Sequence, residues 1–135
     1  LLAILENLVV DKSQIDHLNI VGHSYGGTLV AGLADETTAI TMSIHTVAAP
    51  MIPYERLINR CANFNGYEKM TISNDLFQWR TVKEEDGAFK NMTVDPQIAN
   101  ISNSTIIELP PQFKDGRRLG HNWSISWVID NMFEK

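Results

Sequence analysis

Ile20-Val21-Gly22-His23-Ser24-Tyr25-Gly26-Gly27-Thr28 is the stretch that decides the fold. Leu18, Ile20 and Val21 make an apolar, strand-like run before Gly-x-Ser-x-Gly, and Leu29, Val30, Ala31, Leu33 and Ala34 supply a helix-forming run over 26–35 directly after it. The pattern reads as strand, sharp turn, helix. A serine at such a turn is forced into a strained backbone conformation that lifts its hydroxyl clear of the sheet. Gly22 and Gly26 are expected because a side chain at either place would collide with the neighbouring strand or helix. Ser24 is thus a candidate nucleophile. The helix beginning beside it presents N–H groups and a positive dipole end to a developing negative charge, which makes the Tyr25 N–H the natural first oxyanion donor. The competing reading is a glycine-rich turn that cradles phosphate, and the absence of a following Gly-Lys-Ser/Thr weakens it.

Gly22-His23-Ser24-Tyr25-Gly26-Gly27 resembles the nucleophile elbow of the α/β-hydrolase family, its lipase and esterase branches above all. The resemblance implies a mostly parallel sheet flanked by helices, with serine, acid and histidine in that chain order. The rest of the chain fits an α/β class on its own pattern. Ile40 to Ala49 is a buried strand stopped at Pro50, Tyr67 to Ser73 a third strand, and Thr105 to Leu109 a fourth, stopped at Pro110-Pro111. Helices are expected at Leu1 to Val9, at 55–62 and at Asn122 to Phe133, with Asn65-Gly66 a sharp turn between the second and third strands. Residues 76–103 are expected to form an excursion holding Trp79 and the polar turn Lys83 to Gly87. Alternating strands and helices argue a parallel sheet of about four strands, whose functional groups gather at the carboxyl ends of the strands. In the lipase branch of the family the strand after the nucleophile helix commonly ends in a small residue plus proline. Its end faces the site, which makes Met51 and Ile52, with Pro53 and Tyr54, candidate substrate-binding residues; a plain loop is the alternative.

With 135 residues, 44% of them hydrophobic, the chain can bury a real core as one domain over 1–135. It is short for a whole α/β-hydrolase, and it begins Leu1-Leu2 in a helical pattern, so it reads as a domain lacking its amino-terminal strands. The first stretch has neither the basic start nor the unbroken apolar centre of a signal peptide. Nowhere are there about 18 consecutive apolar residues, so no membrane span is expected and the chain reads as soluble, cytoplasmic ahead of secreted. A net charge of −5 with scattered Lys and Arg argues against nucleic acid as a partner. Arg117-Arg118 reads as a solvated loop. The single cysteine, Cys61, forbids an internal disulfide. Asn91, Asn100, Asn103 and Asn122 head Asn-x-Ser/Thr sequences, which count only in a secretory setting. No cofactor is implied, and no His/Cys cluster suggests a metal.

Four histidines compete for the role of base. His17 precedes the nucleophile strand, His45 lies within a strand, and His23 points to the opposite face from its neighbour Ser24. His121, in the loop Leu119-Gly120-His121-Asn122 before the last helix, remains, and it resembles the family's catalytic histidine in place. For the acid, Asp75 is preferred because it follows the strand expected at Tyr67 to Ser73. Asp86 is the alternative, in the loop that would follow a strand at Trp79 to Val82; its flanking Glu84 and Glu85 argue for a solvated charge run. Asp115 ranks third.

These residues imply a serine hydrolase that cleaves carboxylic esters of small molecules or lipids through an acyl-enzyme. An acyltransferase or thioesterase with the same triad, and a catalytically silent binding or structural module, are the alternatives. In the family the second oxyanion donor comes from a loop amino-terminal to the nucleophile strand. In the family's strand order the nucleophile strand is central, so in this chain one of its edges is expected to be bare, to be covered by a missing amino-terminal segment or a second chain.

Overall fold

The computed structural model describes residues 16–37, 40–52 and 66–134. The helices expected at Leu1 to Val9 and 55–62, along with Pro53, Tyr54 and Cys61, lie outside the described residues. Within them, β1 (His17–His23) leads through Ser24 into α1 (Tyr25–Val30), which continues as a 3-10 turn, Ala31–Asp35. Next come β2 (Thr41–Val47), β3 (Asp75–Arg80), β4 (Thr105–Glu108) and α2 (Gly120–Asn131). The four strands form one all-parallel sheet in the order β1-β2-β3-β4, flanked by helices. The fold is α/β.

Parallel strands are buried on both faces, and their side chains alternate between two cores. Leu18 and Ile20 of β1, Met42 and Ile44 of β2 and Leu76 of β3 meet Val30, Ala31, Leu33 and Ala34 on the α1 side. Val21, Val47, Phe77, Trp79 and Ile107 point the other way, onto Ile125, Trp127 and Val128 of α2. Val128 is fully buried and Leu119 nearly so. Burying side chains of this size stabilises by about 1.5–3 kcal/mol each, which seats α2 and the loop before it against the sheet.

Register brings the strand ends level. His23 stands beside Val47, Val47 beside Trp79, and Trp79 beside Ile107. The ladder continues one step beyond, with the Ser24 N–H donating to Val47 O (2.9 Å) and the Ala48 N–H to Trp79 O (3.0 Å). The loops after β1, β2, β3 and β4 therefore leave the sheet along one edge.

The third strand differs from its sequence reading. Tyr67–Lys69 is a 3-10 turn, and β3 begins only at Asp75. Tyr67 is an anchor instead: its ring is buried and its hydroxyl donates to Thr28 O (3.2 Å). The Ser73 and Asn74 N–H groups are taken by Ala34 O, which ties this segment to the end of the 3-10 turn and removes it from the ladder. Residues 75–80, which the sequence pattern divides between a strand-end loop and an excursion, are the strand.

Candidate active site

Ser24 occupies φ 54°, ψ −127°, a region L-residues rarely adopt, between the end of β1 and the start of α1. That strain is sustained because the elbow is pinned on both sides, by the Ser24 N–H to Val47 O and by the Gly27 N–H to Ser24 O (2.9 Å). Close packing of the helix on the strand sets the glycine requirement. A Cβ at Gly22 would lie 2.5 Å from Gly26 O and 2.6 Å from a Val30 methyl, and one at Gly27 would lie 2.7 Å from both Ala49 Cβ and Gly22 O. Gly26 faces open space, with nothing within 4 Å. The glycine that the turn needs beyond the serine is Gly27, not Gly26 as the sequence motif suggested.

Across the sheet edge, Ser24 Oγ–H donates to His121 Nε2 (3.0 Å), and His121 Nδ1–H donates to Asp86 Oδ2 (3.1 Å). The imidazole side chain is 14% exposed and the carboxylate fully buried. Asp86 also accepts from Thr81 Oγ1 (2.5 Å, on Oδ2) and from the Ala88 N–H (2.9 Å, on Oδ1). Burial pushes its pKa up. The hydrogen bonds from His121, Thr81 and Ala88, together with the attraction of His121, outweigh burial and hold it below the ordinary carboxylate value. Asp86 is thus an ionised carboxylate that fixes the imidazole with its proton on Nδ1 and its Nε2 lone pair toward Ser24.

Asp75, preferred from the sequence, is corrected by its place in the sheet. It opens β3, exposed, in the row of Asn19 and Ser43. Ser24 lies five residues further along the strand direction, roughly 16 Å along that axis at the rise of an extended chain, and two strands to the side. Asp86 follows the other end of the same strand. The expected solvation of its charge run holds for Glu84 and Glu85, which are exposed, but the 3-10 turn Lys83–Glu85 rotates Asp86 inward. Asp115 is exposed and paired with Arg117 (2.7 Å).

Of the other histidines, His17 bonds Ser43 Oγ (2.9 Å), and buried His45 accepts from Trp79 Nε1–H (3.1 Å). His23 does not reach Ser24 with its ring; its Nε2–H donates to the backbone carbonyl of His121 (2.8 Å), a contact with no local sequence signal. Arg118, read as solvated loop, holds the acid loop instead: its guanidinium donates from Nε to Glu85 O (2.8 Å) and from Nη2 to the same oxygen. Tyr25 is exposed at the first position of α1. Met51 is corrected as a substrate-binding residue, since it is buried in the α1-side core, whereas Ile52 is 42% exposed at the surface. A concavity of about 300 Å³ borders His121, between Glu85, Arg118 and Trp123.

No group of three or more His, Cys, Asp or Glu among the described residues is placed to hold a metal. No helix among them is long and apolar enough to cross a membrane. No family model, curated protein or solved structure matches the chain.

Proposed function

We propose that this chain carries the nucleophile, base and acid of a serine hydrolase of the α/β-hydrolase kind, acting on carboxylic esters. The observation that carries the reading is the unbroken relay from Ser24 Oγ through His121 to the buried, ionised Asp86, built on a strained elbow. Ser24 Oγ attacks the acyl carbon as its proton passes to His121 Nε2, and Asp86 stabilises the resulting imidazolium. The tetrahedral oxyanion rests against the start of α1, with the Tyr25 N–H as one donor. Collapse breaks the bond to the leaving alcohol, which takes the proton from His121. Water then attacks the acyl-Ser24, giving its proton to the same nitrogen; collapse breaks the acyl–Oγ bond, Ser24 Oγ takes that proton back from His121, and the carboxylic acid leaves. A metal has no step in this scheme.

The test is labelling of the full-length protein by a fluorophosphonate probe, beside hydrolysis of short p-nitrophenyl esters. Labelling and turnover that vanish in Ser24→Ala and His121→Ala support the reading. Folded wild-type protein that takes no label, or label that persists in Ser24→Ala, refutes it.

A further inference from the structure

We propose that His23 is a positioning residue: its Nε2–H holds the His121 backbone, and so sets the distance between the base and Ser24. The proposal rests on the reading of Ser24, His121 and Asp86 as the reacting groups. Alternation along β1 turns the side chains of Val21 and His23 to the face that carries α2, where Val21 joins the α2-side core and His23 reaches the start of the helix. There the His23 ring lies 4.9 Å, centre to centre, from that of His121.

His121 enters α2 at a point that needs holding. Gly120, just before it, sits at φ 56°, so the chain turns sharply, and the residue flanking the helix start makes no side-chain cap. Two side-chain donors converge on the His121 carbonyl instead: His23 Nε2–H at 2.8 Å and Ser124 Oγ–H at 2.6 Å. The two have different effects. Ser124 lies three residues along the same helix, so its bond moves with α2. His23 is covalently next to Ser24 and bridges 98 residues of sequence, so its bond ties the base's backbone to the nucleophile's own strand. Asp86 at Nδ1 and the edge of Phe89, 5.0 Å from the ring, orient the imidazole about its bonds without fixing where its Cα stands. Because a carbonyl only accepts, His23 carries its proton on Nε2 and acts as a donor.

Displacement of a reacting group by about 1 Å costs on the order of a hundredfold in rate, and the effect falls on turnover where substrate contacts are unchanged. Leucine at position 23 fills the space but donates nothing, whereas glutamine places an amide N–H near the imidazole Nε2. His23→Leu is expected to lose about ten- to hundredfold in kcat with KM within about twofold, and His23→Gln to recover kcat to within about threefold of wild type. If His23→Leu does not fold, His23→Asn, whose amide falls short of the carbonyl, replaces it. A kcat for the leucine (or asparagine) variant within about threefold of wild type, or equal losses in it and in His23→Gln, overturns the proposal. The nitrogen-bound Nδ1 proton signal of His121 in the NMR spectrum gives a second readout, one that does not need turnover. A signal sharp in wild type and His23→Gln but lost in the leucine variant upholds the clamp even if no ester is cleaved. An unchanged signal overturns it. Failure of the hydrolase reading appears separately, as a wild type that neither labels nor turns over.

Discussion

Replacing Asp86 by asparagine removes one charge and one acceptor at nearly constant volume, and the surrounding hydrogen bonds decide how the relay responds. The Ala88 N–H reaches Oδ1, so the asparagine carbonyl takes that place and its NH2 group faces Thr81 and His121. The reverse orientation would leave the Ala88 N–H facing another donor, at about 1–3 kcal/mol. Thr81 loses little in the preferred orientation, because its hydroxyl has Gln97 Oε1 at 3.1 Å as a second acceptor. His121 then accepts at Nδ1 and moves its proton to Nε2, where it can no longer receive the Ser24 proton. A wrong tautomer combined with an unsupported imidazolium costs about 10³- to 10⁴-fold in kcat/KM. That loss corresponds to about 4–5.5 kcal/mol of transition-state stabilisation. The assay is the rate of fluorophosphonate labelling and of ester hydrolysis for Asp86→Asn beside Asp75→Asn, with folding checked by circular dichroism. Asp75→Asn, exposed at the far end of β3, is expected to stay within about twofold of wild type. Retention of activity by folded Asp86→Asn, or its loss in Asp75→Asn, would refute the assignment of the acid.

Gly22→Ala forces a methyl into Gly26 O and the Val30 side chain and is expected to destabilise by about 3 kcal/mol or more. Gly26→Ala enters open space within α1 and should be neutral or stabilise by up to about 0.5 kcal/mol; denaturant midpoints of the two variants check the contrast. The depressed pKa of Asp86 means that its contribution to stability is complete above the ordinary carboxylate value of 3.8 and is lost as pH falls through the lower folded value. Chemical unfolding of wild type should steepen in its acid dependence there, and that of Asp86→Asn should be flatter. The pKa of His45 is lowered, chiefly by burial and further by His17, with Trp79 donating to its Nδ1 and Phe77 stacked on its ring. The unfolded chain therefore binds the extra proton first, and stability declines as pH falls below 6.5, levelling off beneath the folded value. Guanidinium unfolding between about pH 5 and 8 should show this decline in wild type and its absence in His45→Gln.

The sequence alone determined the features that rest on local pattern. Gly22 to Gly27 announced the turn between β1 and α1, because steric strain at a strand-to-helix elbow leaves few residue types permitted. The apolar and helical runs marked β2, β4 and α2 to within a few residues. His121, whose Nε2 meets Ser24 Oγ, was singled out by setting aside His17 and His45 for their places before and within strands and His23 for the alternation of faces, together with the likeness of its loop to that of the family's catalytic histidine. Tertiary structure decided what depends on register and on contacts between distant segments. Tyr67 to Ser73 has the composition of a strand, but backbone N–H groups at its end are taken by Ala34 and the Tyr67 ring by the α1-side core, so β3 starts eight residues after Tyr67. That shift moves Asp75 from the carboxyl end of a strand to the amino end of the next and leaves Asp86 as the carboxylate that meets His121. Glu84, Glu85 and Asp86 look alike as a charge run; a single 3-10 turn exposes two and buries the third. The roles of Gly27, His23 and Arg118 were likewise invisible, since a Cβ clash, a ring under a helix start and a clamp on Glu85 O each involve a partner 5, 98 or 33 residues away. Local chemistry writes the elbow into the chain, whereas the geometry of the relay exists only once the parallel strands bring their ends level.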